Sequence, residues 1–182
     1  MCQFISFHHN PYTGKIAVYD LESHSNTEEK LKLDKTKWRE GHYLPTGGIE
    51  CRVVDIDPCT QREANARLKT KFPTFIKFFN YCLRKTNQSK TYGKSLDLRG
   101  LTSAEGLVLP KKIVRSLYLN GLTSAEGLVL PKEIGRSLYL NGLTSAKGLV
   151  LPKEIGGWIY LGGLNKEEKE KVIYTQKTVE SK

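Results

Sequence analysis

Ser116-Leu-Tyr-Leu-Asn-Gly-Leu-Thr-Ser-Ala-Glu-Gly-Leu-Val-Leu-Pro-Lys-Glu-Ile-Gly-Arg136 is followed by Ser137–Gly157, which departs from it only at Lys147 and Gly157. Ser95–Arg115 precedes it and differs at Asp97, Arg99, Lys112 and Val114, and a partial fourth unit starts at Trp158. A fixed 21-residue period is the mark of a solenoid, in which one coil cannot bury its apolar side chains alone and must stack on the next. Leu117 and Leu119 alternate with Ser116, Tyr118 and Asn120, which predicts a short strand. Gly121 ends it, and Leu122 points back inward. Thr123–Gly127 reads as a turn. Leu128 and Leu130 alternate around Val129 and predict a second strand, stopped by Pro131, which has no backbone donor. Ile134 is a last apolar anchor.

Leu117-x-Leu119-x-x-Leu122 and Leu130-Pro131-x-x-Ile134 resemble the leucine-rich repeat family, the second segment being similar to the LPxxL piece of short bacterial effector repeats. The resemblance covers residues 95–164. It implies a strand face that meets protein partners. Leu122 stands where the family places asparagine, so no asparagine ladder is expected. The step from Ile134 to Leu138 is four residues where the family has three, which points to a two-strand β-solenoid coil rather than a horseshoe.

Stacking sets equivalent outward positions in columns about 4.8 Å apart. Asp97, Tyr118, Tyr139 and Tyr160 make one column, and Arg99, Asn120 and Asn141 the next, which Gly162 ends. Tyr118, Tyr139, Tyr160, Asn120, Asn141 and Arg99 are the candidate partner-binding residues, since exposed tyrosines are good interface anchors. A ladder of rings that merely pack on one another is the competing reading.

Beyond the array, Asn165 and Glu168 have the spacing of a helix start, so residues 165–182 are expected to form a capping helix and tail. Trp158 is expected to cover the last coil. Thr60 and Glu63 suggest another helix start, running through Ala64 and Leu68, with a second helix from Pro73 after a break at Phe72. Leu68, Phe72, Phe75, Ile76, Phe79, Cys82 and Leu83 recur on one helical face. Residues 60–94 hold nine Lys/Arg against Glu63 alone, so most of the net charge of +10 falls there, while residues 1–59 are net acidic. Arg62, Arg67, Lys69, Lys71, Lys77, Arg84 and Lys85 form the candidate basic patch, with Lys90–Lys94 read as a linker. Cations interleaved with Phe and Tyr suit nucleic acid, or an acidic or RNA-laden protein partner.

Residues 3–20 predict a hairpin turning at Asn10–Gly14, Ser25 and Asn26 a short helix over Glu28–Leu33, and Ile49–Ile56 a third strand. The expected architecture is an α+β module over 1–94, a leucine-rich-repeat-like β-solenoid over 95–164 and a C-terminal capping helix. The opening Met-Cys-x-Phe, Ser23-His24 and a basic helix leading into repeats are similar to small phage and mobile-element proteins with variable arrays. That resemblance implies a role against host defence.

Cys2 is the one catalytic candidate, a nucleophile if Met1 is removed, with His8, His9 or His24 as base. The Met-Cys-Gly opening of glutamine amidotransferases is not matched, because Gln3 follows. No cysteine pair or Cys/His set has zinc spacing, and Thr46-Gly47-Gly48 lacks the end of a phosphate-binding loop. Free thiols, no cofactor, no metal and a cytoplasmic, membrane-independent protein are expected. The reading is a non-enzymatic module that binds a protein partner through the repeat face and basic helices. Its rival is a phage inhibitor of a nucleic-acid-handling defence enzyme, or direct nucleic-acid binding by residues 60–94. Oligomeric state is left open.

Overall fold

The computed structural model describes residues 5–19, 21, 27–34, 38–45, 49–51 and 58–172. The chain divides into two compact units, Met1–Gln88 and Ser89–Lys182.

In the first unit a four-stranded antiparallel sheet has the order β2-β1-β3-β4, with β1 at Ile5–His9, β2 at Ile16–Ala17, β3 at Arg39–Tyr43 and β4 at Ile49–Cys51. The β1–β2 turn is the expected one. Asn10 Oδ1 accepts from the amides of Tyr12 and Thr13 at 3.1 and 3.0 Å, and Gly14 takes φ +67° to close it. The short helix α1 spans Thr27–Lys30. Strand β3 is absent from the sequence-based expectation because Arg39-Glu40-Gly41-His42-Tyr43 has almost no apolar face. Gly41 lies directly across from Phe7, whose ring would stand 2.6 Å from any Cβ placed there. The ring therefore requires a glycine opposite it. Of the expected strand Ile49–Ile56, Ile49–Cys51 is strand, and the rest of that expectation lies outside the described residues.

Helix α2 spans Pro58–Lys71 and α3 spans Phe75–Lys85. Two expectations need correction. Thr60 lies inside α2 rather than capping it, because the helix begins at Pro58, whose fixed φ suits a first turn. Pro73 does not start α3; Thr74 caps it, its hydroxyl accepting from the Lys77 amide at 3.3 Å. On the apolar face Phe78 is buried while Ile76 is only half-buried, the reverse of the expected pair. Phe7, Tyr43, Phe72 and Phe78 meet largely edge to face at 4.9–5.2 Å, and the Tyr43 hydroxyl donates to the Phe72 carbonyl at 2.7 Å at the end of α2. That bond ties the middle of the sheet to the break between the helices. Burial holds the Tyr43 phenol above its usual range.

The second unit is a β-solenoid of about three turns with two parallel sheets. One has the order β12-β10-β8-β6, formed by Ile159–Tyr160, Leu138–Tyr139, Leu117–Tyr118 and Leu96–Asp97. The other has the order β11-β9-β7-β5, formed by Glu154–Ile155, Glu133–Ile134, Lys112–Ile113 and Thr91–Tyr92. Thus Lys90–Lys94 is no linker: Thr91–Tyr92 pairs with Lys112–Ile113 and opens the second sheet. Each coil's second strand also lies later than expected. Leu128–Leu130 is unpaired, with Val129 74% exposed, and pairing resumes only past Pro131, at Glu133.

The inward set is as the alternation predicts. Leu117, Leu119, Leu122, Leu128 and Ile134 are buried, joined by Ala125, while Leu130 is half-buried. The coil turns repeat one local chemistry. Ser103, Ser124 and Ser145 hydroxyls accept from the amide two residues on, and Gly106, Gly127 and Gly148 all adopt positive φ.

A helix over residues 166–172, here α4, follows the last coil. The Asn165 side chain accepts from the Glu168 amide at 2.9 Å, as the spacing predicts. Glu168 reaches back to the turn of the preceding coil, accepting from the Ala146 amide at 2.5 Å and from Ser145 at 3.2 Å, while Lys171 donates to it at 2.7 Å. Lys171 and the Ala146 amide hold its carboxyl down at about 2. A carboxylate lowered from the ordinary ~4.3 stabilises the fold fully above that value and loses this contribution as pH falls towards 2. Glu168→Gln is therefore expected to lower the melting temperature at pH 6, and the gap to wild type should close between about pH 4.3 and 2. A gap independent of pH would detach this carboxylate from the cap. Trp158, in contrast, does not cover the coil and is 75% exposed. It occupies the outward serine position, where its amide donates to the Ser137 hydroxyl at 3.2 Å.

Candidate interaction face

The strand ladder of the first solenoid sheet places Asp97, Tyr118, Tyr139 and Tyr160 directly in register. Leu98, Leu119 and Leu140 donate to the carbonyls of Tyr118, Tyr139 and Tyr160 at 2.8–2.9 Å, so each tyrosine backbone is held by the coil before it. The rings stack face to face. Tyr118 and Tyr139 centroids are 4.5 Å apart at 15°, and Tyr139 and Tyr160 are 4.4 Å apart at 4°. Arg99 closes the other end, its guanidinium 5.6 Å from the Tyr118 centroid. Asp97 positions it through bonds of 2.8 and 3.1 Å, and these raise the Arg99 pKa.

Two side-chain ladders flank the column. Ser95, Ser116 and Ser137 hydroxyls accept from the amides of Ser116, Ser137 and Trp158 at 3.2–3.4 Å. Asn120 Oδ1 accepts from the Asn141 amide at 3.2 Å, and Asn141 Oδ1 from the Gly162 amide at 2.8 Å. An asparagine ladder therefore exists, against expectation, two residues before Leu122, the position where the leucine-rich repeat family places its asparagine. Outward Asn120 and Asn141 reach the next coil's backbone without entering the core. Both ladders end at the last coil, where Trp158 and Gly162 replace their serine and asparagine.

Because the rings stack, their faces are largely spent on one another. The surface they offer is a row of edges and hydroxyls. Tyr118 and Tyr139 are half-buried, whereas Tyr160 is 40% exposed and has no stacked tyrosine beyond it among the described residues. Trp158 stands two residues before it, on the same side of the strand by the alternation of strand side chains.

In the first unit Arg62, Arg67, Lys69, Lys71, Lys77, Arg84 and Lys85 are all exposed. Arg67 pairs with Glu63 at 3.2 Å. Lys71 and Lys85 both approach the half-buried Tyr81 ring, at 5.8 Å. Phe72, Phe75, Phe78 and Phe79 are buried, so these rings are core and not available to stack bases. Burial pushes the Cys82 thiol far above the thiolate range, which leaves it no nucleophile. His8 and His9 are both buried in the central strand β1. Cys2 and His24 lie outside the described residues. No helix among the described residues is long and apolar enough to cross a membrane.

The sequence reading missed the columns of the other sheet, although the period carries them: Lys90, Lys111, Lys132 and Lys153 recur every 21 residues. Charge summed along the chain hides them, because it counts Lys90 with the helices. No protein-family model, curated protein or solved structure matches this chain.

Proposed function

We propose that the protein is a non-enzymatic interaction module whose solenoid presents the Tyr118–Tyr139–Tyr160 column to a protein partner. The stacked column carries this reading. Its rings are fixed by backbone pairing, by flanking ladders and by Arg99, so little side-chain entropy remains to be lost on binding. The row is amphipathic, apolar along the ring edges and polar at the hydroxyls. Trp158 and the open face of Tyr160 add an exposed aromatic pair at its end. The leucine-rich-repeat-like strand signature supports the same face.

The triple variant Tyr118→Ser, Tyr139→Ser, Tyr160→Ser tests it. Pull-down from native host extract should lose the species that wild type retains, while most stability is kept. If the column is only a ladder, the variant binds normally and loses roughly 0.2–1 kcal/mol per cross-strand pair.

The exposed cations of α2 and α3 support a second reading, an inhibitor that docks on a nucleic-acid-handling enzyme of a host defence system. Their exposure over a closed aromatic core suits contact with an acidic surface through charge rather than through rings.

A further inference from the structure

The coil period also sorts charge. Lys90, Lys111, Lys132 and Lys153 each stand immediately before a strand of the second solenoid sheet, while Arg115 and Arg136 stand two residues after β7 and β9. Register is fixed by backbone bonds. The Lys112 amide donates to the Lys90 carbonyl, Lys132 to Lys111, Glu154 to Lys132 and Arg136 to Arg115, at 2.9–3.3 Å. All six cations are exposed.

One strand spacing, about 4.8 Å, separates neighbours in a column, and four residues along the chain, at most about 13 Å, separate the two columns. Like charges directly opposite in a sheet repel. None of the six is among the ion pairs formed by the described residues. Two carboxylates lie between the columns: Glu133 pairs with Lys112, and Glu154 is exposed beside Lys153, so the cations of the face outnumber them. Between the columns the sheet presents two rows, Thr91, Lys112, Glu133 and Glu154 in one and Val114, Gly135 and Gly156 in the next.

Tandem copying alone does not account for the pattern. Ser89–Lys94 has diverged from the unit sequence, yet it keeps a cation at both column positions, Lys90 and Lys94.

We propose that this second sheet is a nucleic-acid-binding face that grips backbone phosphates without reading bases. Cations repeated at one strand spacing, outnumbering the two carboxylates between them, fit a repeating phosphodiester chain. The glycines beside them serve the stacking of the coils, since a Cβ at Gly135 or Gly156 would lie 2.2–2.3 Å from a backbone carbonyl oxygen of the preceding coil. The face lacks the large aromatic anchors that a protein partner or a lipid surface would use between the columns. This proposal stands apart from the tyrosine face and from α2 and α3.

Fluorescence anisotropy of the full chain with a labelled mixed-sequence single strand of about twenty nucleotides tests it across a salt series. Lys111→Gln, Lys132→Gln, Lys153→Gln together should weaken binding at least about tenfold near 50 mM salt and flatten the salt slope by about 2. An unchanged melting temperature is expected for that variant. Lys→Arg at the same three sites should restore binding, which keeps the test valid if the Gln variant misfolds. Arg62→Gln, Arg67→Gln, Lys69→Gln, Lys71→Gln should bind like wild type. The proposal is overturned if wild type fails to bind at low salt, if the lysine-column variant binds normally, or if the helix variant alone abolishes binding. Equal competition by polyglutamate or by phosphatidylserine vesicles would overturn it in favour of an acidic protein or a membrane.

Discussion

Leu119→Asp is expected to abolish cooperative folding of residues 95–164 while the first unit stays folded. Leu119 is fully buried, between Leu98 and Leu140 of the adjacent coils, and its own amide is committed to the Tyr139 carbonyl. The aspartate would enter an apolar stack with no cation facing it, and an unpaired buried charge has no compensating interaction. Losses above about 4–5 kcal/mol arise from a short list of causes that includes this one. Leu119→Ala, which leaves only a cavity, should cost about 2–5 kcal/mol and retain the fold. Hydrogen exchange followed by mass spectrometry reads the two units separately. Native protection across 95–164 in the Asp variant would mean that the inward and outward faces are assigned the wrong way round.

Gly142→Ala should do comparable damage by another route. A Cβ at Gly142 would lie 2.1 Å from the carbonyl oxygen of Asn120 and 2.7 Å from that of Leu122. Both are backbone atoms of the preceding coil, already placed by the sheet and by the Asn120–Asn141 bond. No flexible side chain can yield, so the coils must separate. Gly121 and Gly163 occupy the same place in their coils, with 2.2 and 2.4 Å approaches. In contrast, a Cβ at Gly93 meets nothing within 4 Å, and Gly93→Ala is expected to leave stability within about 0.5 kcal/mol of wild type. Thermal unfolding of the pair separates close approach from ordinary loop flexibility. Equal melting temperatures would contradict the stacking geometry.

The repeat was the most legible part of the chain because each coil states its inward set several times. Leu117, Leu119, Leu122 and Ile134 are all buried as their spacing predicts. Strand placement was less legible: Leu128–Leu130 and Glu133–Ile134 both alternate, and the choice rests on which segment finds a backbone partner. The first unit was harder still. Strand β3 is polar in sequence and is defined by what packs on it, Phe7 over Gly41. The basic patch was readable from helical periodicity, whereas the lysine column appears only once one-coil stacking is applied to charged as well as apolar residues. The tyrosine column was legible as a column. That its rings consume one another's faces depends on ring orientation, which sequence does not encode.

Insertion of a second copy of residues 116–136 tests the central claim that the array is a stack of interchangeable in-register coils. The duplicated unit would place tyrosine on tyrosine, serine on serine and glycine beneath the asparagine carbonyl at both new junctions. Nearest-neighbour stacking then adds one coil and one interface. The account predicts a folded protein with a cooperative transition at a higher melting temperature, while insertion of only the first ten residues of the unit should break the register and lower it. A lower melting temperature for the full-coil insertion, matching that of the ten-residue insertion, would contradict the solenoid on which both proposed faces depend.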